Sequence, residues 1–334
     1  MKALSLFDAG DARTTEIAEP GCAQPDLLLK VEMVGLCGSD LNSFRGRNPL
    51  VSYPRVLGHE IAATVLEGNA SIATGTRVTV SPYTSCGTCP SCRRGRENAC
   101  RDNQTFGVQR DGAITERLVV PAAKVFPSNL PLKHLCLVEP LTVGFHACAR
   151  GRVTGSDVVA IFGCGGIGLG AIAGSAFRGA RTIAIDLDDV KLETARLAGA
   201  TDLIHSDRED VRARLRELTG GDGPDVIIEA IGLPETFRMA VEEVAFTGRV
   251  VYIGYAKEPV AYETRLFVQK ELDIMGSRNA QPQDFLDVMS MLEASRFPVE
   301  QAVTAVVSLE EAPSILSKWS ADPAAYTKIM IQME

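Results

Sequence analysis

Residues 157–168 read Asp157-Val-Val-Ala-Ile-Phe162-Gly163-Cys164-Gly165-Gly166-Ile167-Gly168, followed by LGAIAGSAFRGA. The apolar run up to Phe162 has the length and texture of a strand buried on both faces. Gly163, Gly165 and Gly168 then fit G-x-G-x-x-G, and the small, apolar residues after them suit a helix. Each glycine has a physical task. The first permits a tight turn, the second lets a pyrophosphate approach the backbone, and the third lets helix pack on strand. The helix start at Gly166, Ile167 and Gly168 offers free N–H groups and a positive dipole end to phosphates. The next strand, TIAID, closes on Asp186, 18 residues past Gly168. An acid there accepts hydrogen bonds from an adenosine ribose and repels a 2′-phosphate. Leu187 and Asp188 follow it, with no adjacent arginine, so NAD is expected over NADP. Cys164 is read as a small filler within the loop.

Working outward, DVIIEA (225–230), RVVYIG (249–254) and LDIMG (272–276) repeat the short apolar texture. Helical patterns such as VKLETARLAGA (190–200) and TFRMAVEEVA (236–245) lie between such runs. Buried strands alternating with helices predict a doubly wound parallel α/β domain. The chain before residue 140 differs. DLLLKVEMVG (26–35) alternates, residues 61–67 and 76–81 look the same, and Gly and Pro are frequent between them. That part reads as mostly β. After residue 280 come a helix, QDFLDVMSMLEAS, a strand near 303–307, a helix near 309–319 and a last strand near 328–332. This tail is too short to be a domain and is expected to pack back on the N-terminal part.

The length of 334 residues suggests about two domains. A formal net charge of −8 argues against broad nucleic-acid binding, which depends on phosphate neutralisation by Lys and Arg. No uninterrupted apolar stretch reaches membrane-spanning length. The opening MKALSLFDAG carries no apolar signal segment, so a reducing, cytoplasmic location is expected.

Cys86-Gly-Thr-Cys89-Pro-Ser-Cys92-Arg-Arg-Gly-Arg-Glu-Asn-Ala-Cys100 places four thiols within fifteen residues. Cys-x-x-Cys turns and S–Zn distances of about 2.3 Å suit one tetrahedral zinc. Disulfides require an oxidising compartment. A bacterial ferredoxin run closes its fourth cysteine after three residues and adds a proline, whereas here the gap is seven residues. The lobe, 84–102, is therefore read as a structural zinc site. A second set is more dispersed: Cys37 in Gly35-Leu-Cys37-Gly-Ser39-Asp40, His59 and Glu60 in Gly58-His59-Glu60, and Glu139 before Pro140. Taken singly, these are a core cysteine, a satisfied histidine and surface acids. Together, a Cys, a His and a carboxylate with an open fourth position would make a catalytic zinc site.

In order and approximate spacing, Cys37-Gly-Ser-Asp, Gly58-His-Glu, the cysteine lobe, Glu139-Pro-Leu and the glycine turn resemble the zinc-dependent medium-chain dehydrogenases. The likeness covers essentially the whole chain and is greatest to the sorbitol dehydrogenase branch of polyol and sugar-acid dehydrogenases. It implies a GroES-like catalytic domain (1–141 and 281–334) with an inserted Rossmann domain (142–280). It implies two zinc ions per chain: one structural, and one catalytic on Cys37 and His59, with Glu60 and Glu139 as exchanging or alternative carboxylates. Simple alcohol dehydrogenases typically carry a cysteine where Glu139 stands, and Cys136, three residues away, is not expected to replace it. By the same resemblance, Ser39 takes the substrate proton, Asp40 orients His59 through its other ring nitrogen, and Lys191 contacts the adenosine ribose. The chain departs from the pattern at Asn42, where many relatives place a histidine. Met275-Gly-Ser-Arg278-Asn279 resembles a segment of L-galactonate, L-idonate and galactitol-type enzymes. Arg278 and Asn279 are the expected substrate contacts, a planar cation being able to fork to a carboxylate; a domain-bridging salt bridge is the plainer role for Arg278. Arg45 and Arg47 are expected to be solvated.

The implied activity is transfer of hydride from a secondary hydroxyl of a polyol, sugar acid or sugar phosphate to NAD. The alternatives are a simple alcohol or threonine-type dehydrogenase, a zinc-free reductase of the same fold, or a non-catalytic NAD-binding protein. A small-molecule substrate and a homodimer or homotetramer are the expected partners. The apolar last strand near 272–276 would leave an edge open to pairing.

Overall fold

The computed structural model describes residues 1–333. It divides into two compact units: Met1–Glu139 with the segment from Val299 onward, and Pro140–Pro298. The first break falls inside one helix, Leu132–Arg150, which carries Pro140 in its interior. The second falls at 298/299, later than the residue 281 expected. The reason is local. Asp284 caps the helix Pro282–Glu293 by accepting from Gln281 N, and it also bonds the buried His146 Nδ1 at 2.9 Å. Those links hold that helix in the second unit.

The second unit contains six strands: β1 (Val158–Phe162), β2 (Arg181–Asp186), β3 (Asp202–His205), β4 (Val226–Glu229), β5 (Arg249–Tyr252) and β6 (Asp273–Gly276). All pair in parallel, in the order β3-β2-β1-β4-β5-β6. Helices follow most of them, including Gly166–Phe177, Asp189–Leu197, Val211–Leu218 and Pro234–Glu243. Ala160, Phe162, Ile183, Ile185, Ile227 and Val250 form the buried centre, as expected of strands covered on both faces. The strand order reverses beside β1, so the crevice lies beyond the carboxyl ends of β1 and β4. β6 lies at the sheet edge and is largely exposed.

The first unit is built on a seven-stranded sheet. Its path is Ala305–Ser308, Ile329–Gln332, Leu27–Leu36, Glu60–Glu67, Arg77–Val80 and Val125–Pro127, with Arg117–Val120 also pairing Leu27–Leu36. A three-stranded sheet joins Asp11–Glu16, Lys2–Asp8 and Arg55–Val56. The core includes Leu4, Leu29, Val34, Leu57, Ile61, Ile114, Leu316 and Ile331. The tail does return to the N-terminal part: Ile329–Gln332 pairs antiparallel with Leu27–Leu36, Ile329 opposite Leu36. On the other side of that strand, Gly35 is opposite Glu60. These two registers place the start of the last strand and the start of Glu60–Glu67 on either side of the residues leading into Cys37. Among the elements the sequence pattern did not name are the helix Leu132–Arg150, which carries Pro140 in its interior, the short helix Gly38–Phe44, and the strands Lys2–Asp8 and Asp202–His205.

Candidate functional site

Cys37 follows the strand Leu27–Leu36 and forms the N-cap of the helix Gly38–Phe44. Asp40 folds back from that helix. Its Oδ2 accepts from Cys37 N at 2.9 Å and its Oδ1 from Gly58 N at 3.2 Å. One buried carboxylate thus fixes the turn that carries Cys37 and the turn that carries His59 and Glu60. One donor atom from each of Cys37, His59 and Glu60 falls within a group spanning 4.8 Å. Asp40 Oδ2 is 3.9 Å from His59 Nδ1, which is ion-pair range but beyond a hydrogen bond, so Asp40 bonds the backbone rather than the ring. His59 Nδ1 is buried with no partner. Burial by itself would push the His59 pKa down. Asp40, Cys37 and Glu139 outweigh it and hold the pKa well above the ordinary histidine value. The surrounding anions make the site attractive to a cation, which would bind the imidazole in its neutral form.

Both expected carboxylates are buried, and each has a partner that the sequence did not reveal. Glu60 takes both its oxygens to Lys328 Nζ, at 2.5 and 2.8 Å. Glu139 Oε1 accepts from the buried Tyr83 hydroxyl. Burial raises the Glu139 pKa and Glu60 adds to the rise, while His59, Tyr83 and Lys328 oppose it. The group within 4.8 Å includes Glu60 and does not include Glu139. The Cys136 thiol donates to the Glu60 carbonyl at 3.3 Å and is occupied away from the cluster. Ser39 Oγ is buried without a partner, two residues from Cys37. Asn42 is exposed on the same short helix. Arg45 bonds Ser320 on the helix Ala312–Ala321, so it is a structural tie rather than a solvated side chain, while Arg47 is exposed.

In the lobe, Cys89 Sγ is 3.5 Å from Cys92 Sγ and 3.9 Å from Cys100 Sγ. Sulfurs about 2.3 Å from one tetrahedral zinc stand about 3.8 Å apart, so the spacing fits the ion. Backbone N–H groups of Cys86 and Asp102 point at Cys100 Sγ, and that of Cys89 at Cys86 Sγ, each at 3.3 Å. Such donors favour thiolates. The Ser91 hydroxyl and nearby N–H groups push the Cys89 thiol down to about 5. Burial and the neighbouring sulfurs push Cys92 up to about 12. Four sulfurs this close ionise together only around a cation. None of the nine cysteines forms a disulfide.

In the second unit, the glycine turn behaves as its pattern requires. Gly163 has φ +93°, and a Cβ on Gly168 would sit 1.7 Å from Gly163 O. A Cβ on Gly165 meets nothing within 4 Å, so this part of the loop is open toward a phosphate-sized group. Gly166 and Ile167 begin the helix. Asp186 Oδ2 accepts from Cys164 N at 2.7 Å, and its Oδ1 accepts from Leu187 N at 2.8 Å and Asp188 N at 3.2 Å. The acid therefore ties the loop to the next turn. Asp188 caps the helix that carries Lys191 in its first turn. Glu229, at the end of β4, holds Ile231 N, Gly232 N and Thr236 Oγ1 and shapes the adjoining turn, a role no motif announced. Arg278 is exposed just beyond β6, and Asn279 has φ +52°.

Comparison with known proteins agrees with this architecture. Residues 23–131 match the alcohol dehydrogenase GroES-like domain and residues 166–294 the zinc-binding dehydrogenase family. An uncharacterised zinc-type alcohol dehydrogenase-like protein of Haemophilus influenzae is 35% identical, over 98% of each chain. The L-galactonate-5-dehydrogenase of Escherichia coli K12 is 33% identical over 86% of each. The sorbitol dehydrogenase of Bacillus subtilis is 32% identical over 83% of this chain and 81% of its own. Among solved structures, the alcohol dehydrogenase rspB of E. coli CFT073, complexed with NADH, superposes with a TM-score of 0.91 at 27% identity and 99% coverage of both chains. A putative zinc-binding dehydrogenase of Sinorhizobium meliloti 1021, bound to NADP, gives 0.91 at 29% identity, over 99% of this chain and 98% of that one. The chain belongs to the zinc-type medium-chain alcohol dehydrogenases, a family of NAD(P)-dependent oxidoreductases. No helix among the described residues is long and apolar enough to cross a membrane.

Elemental analysis is expected to give close to two zinc ions per chain. Cys37→Ala should lose one of them and nearly all turnover while staying folded, whereas Cys89→Ala should chiefly lower thermal stability. One zinc in fully active wild type would overturn the two-site reading.

Proposed function

We propose that this chain oxidises a secondary hydroxyl of a polyol, sugar acid or sugar phosphate, with NAD as hydride acceptor. The observation that carries the reading is the pair of buried carboxylates, Glu60 and Glu139, beside Cys37 and His59. Cys37, His59 and Glu60 are the residues that would hold the catalytic ion, with Glu139 as the alternative carboxylate. The lobe cysteines would hold the structural ion. Bound zinc supplies Lewis-acid polarisation of a hydroxyl, and the nicotinamide accepts the hydride.

The chain's own residues supply the rest. Ser39 Oγ, buried and unpartnered, accepts the proton of the substrate hydroxyl and passes its own proton on. Asn42 has no titratable group, so the proton continues to water or the ribose hydroxyls rather than to a side chain there. Asp40 keeps Cys37 and His59 in register by its two backbone bonds. Gly163 to Gly168 cradle the pyrophosphate, and Asp186 accepts from the ribose while repelling a 2′-phosphate. Hard oxygen donors around the cluster suit a pocket that hydrogen-bonds several hydroxyls. Such a pocket discriminates strongly against substrates lacking them, because its polar groups would be left unpaired. The names of the E. coli and B. subtilis relatives, which refer to an aldonate and a hexitol, support that substrate class. Arg278 is the residue proposed to read a carboxylate.

Initial rates with NAD are expected to exceed those with NADP by orders of magnitude, and Asp186→Ala should weaken NAD and narrow the gap. Comparable use of both cofactors by wild type would refute the role given to Asp186. On a panel of hexitols, hexonates and polyol phosphates, at least one should turn over far faster than ethanol or butanol. Arg278→Lys should hurt an aldonate more than a neutral polyol. Good activity on simple primary alcohols would sink the polyol assignment. The exposed apolar edge of β6 supports a two-fold dimer or a tetramer. Light scattering at micromolar concentration should show no monomer, and a clean monomer would rule that out.

A further inference from the structure

Lys328 is the one basic side chain buried against the Cys37, His59 and Glu60 cluster among the described residues. An ammonium has three protons to donate, and each has an acceptor here: Glu60 Oε1 at 2.5 Å, Glu60 Oε2 at 2.8 Å and Leu36 O at 3.2 Å. The side chain is therefore fixed. Its place follows from strand register, since Ile329, the next residue, pairs with Leu36. Glu60 is fixed from the other side. A Cβ on Gly35 would lie 1.9 Å from Glu60 Oε2, so the carboxylate lies across the bare backbone of its cross-strand partner. The two carboxylates are thus held differently. Glu139 accepts from a neutral phenol, whereas Glu60 is bridged on both oxygens by a full positive charge.

A carboxylate oxygen that accepts from an ammonium keeps a second lone pair for a metal ion. Its donor strength is reduced, however, and the ammonium repels the ion across it. We infer that Lys328 is a positioning residue of the metal centre, whose charge keeps Glu60 a weak, exchangeable ligand. A position on the ion is thereby left available to the substrate hydroxyl. The inference rests on the reading of Cys37, His59 and Glu60 as the catalytic metal site.

The test uses the full chain loaded with cobalt(II), comparing wild type, Lys328→Met, Lys328→Gln and Lys328→Arg. Lys328→Gln keeps N–H donors and removes the charge, so it serves if the methionine variant does not fold. The metal of the cysteine lobe is the internal reference for folding. In the neutral variants, release of the Cys37-site cobalt to a chelator should slow by about 10-fold, a change of the size outer-shell partners produce but opposite in sign to the usual loss of affinity. Its visible ligand-field bands should change, because Glu60 becomes a full ligand. With zinc restored, kcat should fall more than KM, and Lys328→Arg should recover both the bands and kcat. Unchanged bands and release rate in the neutral variants, or faster release, would overturn the inference while leaving the metal site in place. Wild type that binds cobalt only in the lobe would remove the metal site itself, and the inference with it.

Discussion

Asp40 has no exposure to solvent, and its two oxygens accept from the backbones of two separate segments, at Cys37 and at Gly58. Everything at the candidate centre depends on that bridge. Cys37 lies at the end of one strand and Glu60 at the start of its neighbour. Pairing alone aligns Gly35 with Glu60 but leaves the turns beyond each strand end free to splay. The bridge removes that freedom, so that a thiol, an imidazole and a carboxylate converge before any ion is bound. Preorganisation of this kind lowers the cost of binding, because the ordering is done by folding rather than by the ligand.

The arrangement has an electrostatic consequence. Asp40, Cys37, Glu60 and Glu139 put as many as four negative charges around His59 in a largely buried region. An isolated buried anion is costly, and such groups persist only when paired. Lys328 supplies one counter-charge, the Tyr83 hydroxyl supplies a hydrogen bond, and the raised pKa of His59 supplies a further positive charge when protonated. The set is still short of cations for complete ionisation. That is the physical sense in which the residues fit a divalent ion. In the lobe, the Ser91 hydroxyl and nearby N–H groups push one thiol down to about 5, while burial and the neighbouring sulfurs push the next up to about 12, so a cation is needed for all four to ionise.

The nucleotide unit shows a different economy. Asp186 was read from sequence as a ribose contact, and the structure shows that it also holds the phosphate loop at Cys164 N. One acid thus couples the shape of the glycine turn to the turn after the second strand. A substitution there acts on loop geometry whatever it does to cofactor choice.

The sequence by itself determined the parallel α/β unit, the glycine turn and most of the two groups of residues that could hold a metal ion. Those features rest on local chemistry: strand periodicity, glycine where no Cβ fits, and thiols three residues apart. It did not disclose Lys328 or Tyr83, which lie 268 and 56 residues from the carboxylates they bind. A lysine near the end of a chain and a tyrosine before a cysteine lobe carry no pattern of their own. Their roles come from antiparallel register and burial, which only the tertiary structure decides. The same is true of the second domain break, since the bond between Asp284 and His146 spans 138 residues. Local periodicity fixes what each segment is, and long-range pairing fixes which charges end up facing one another out of reach of water.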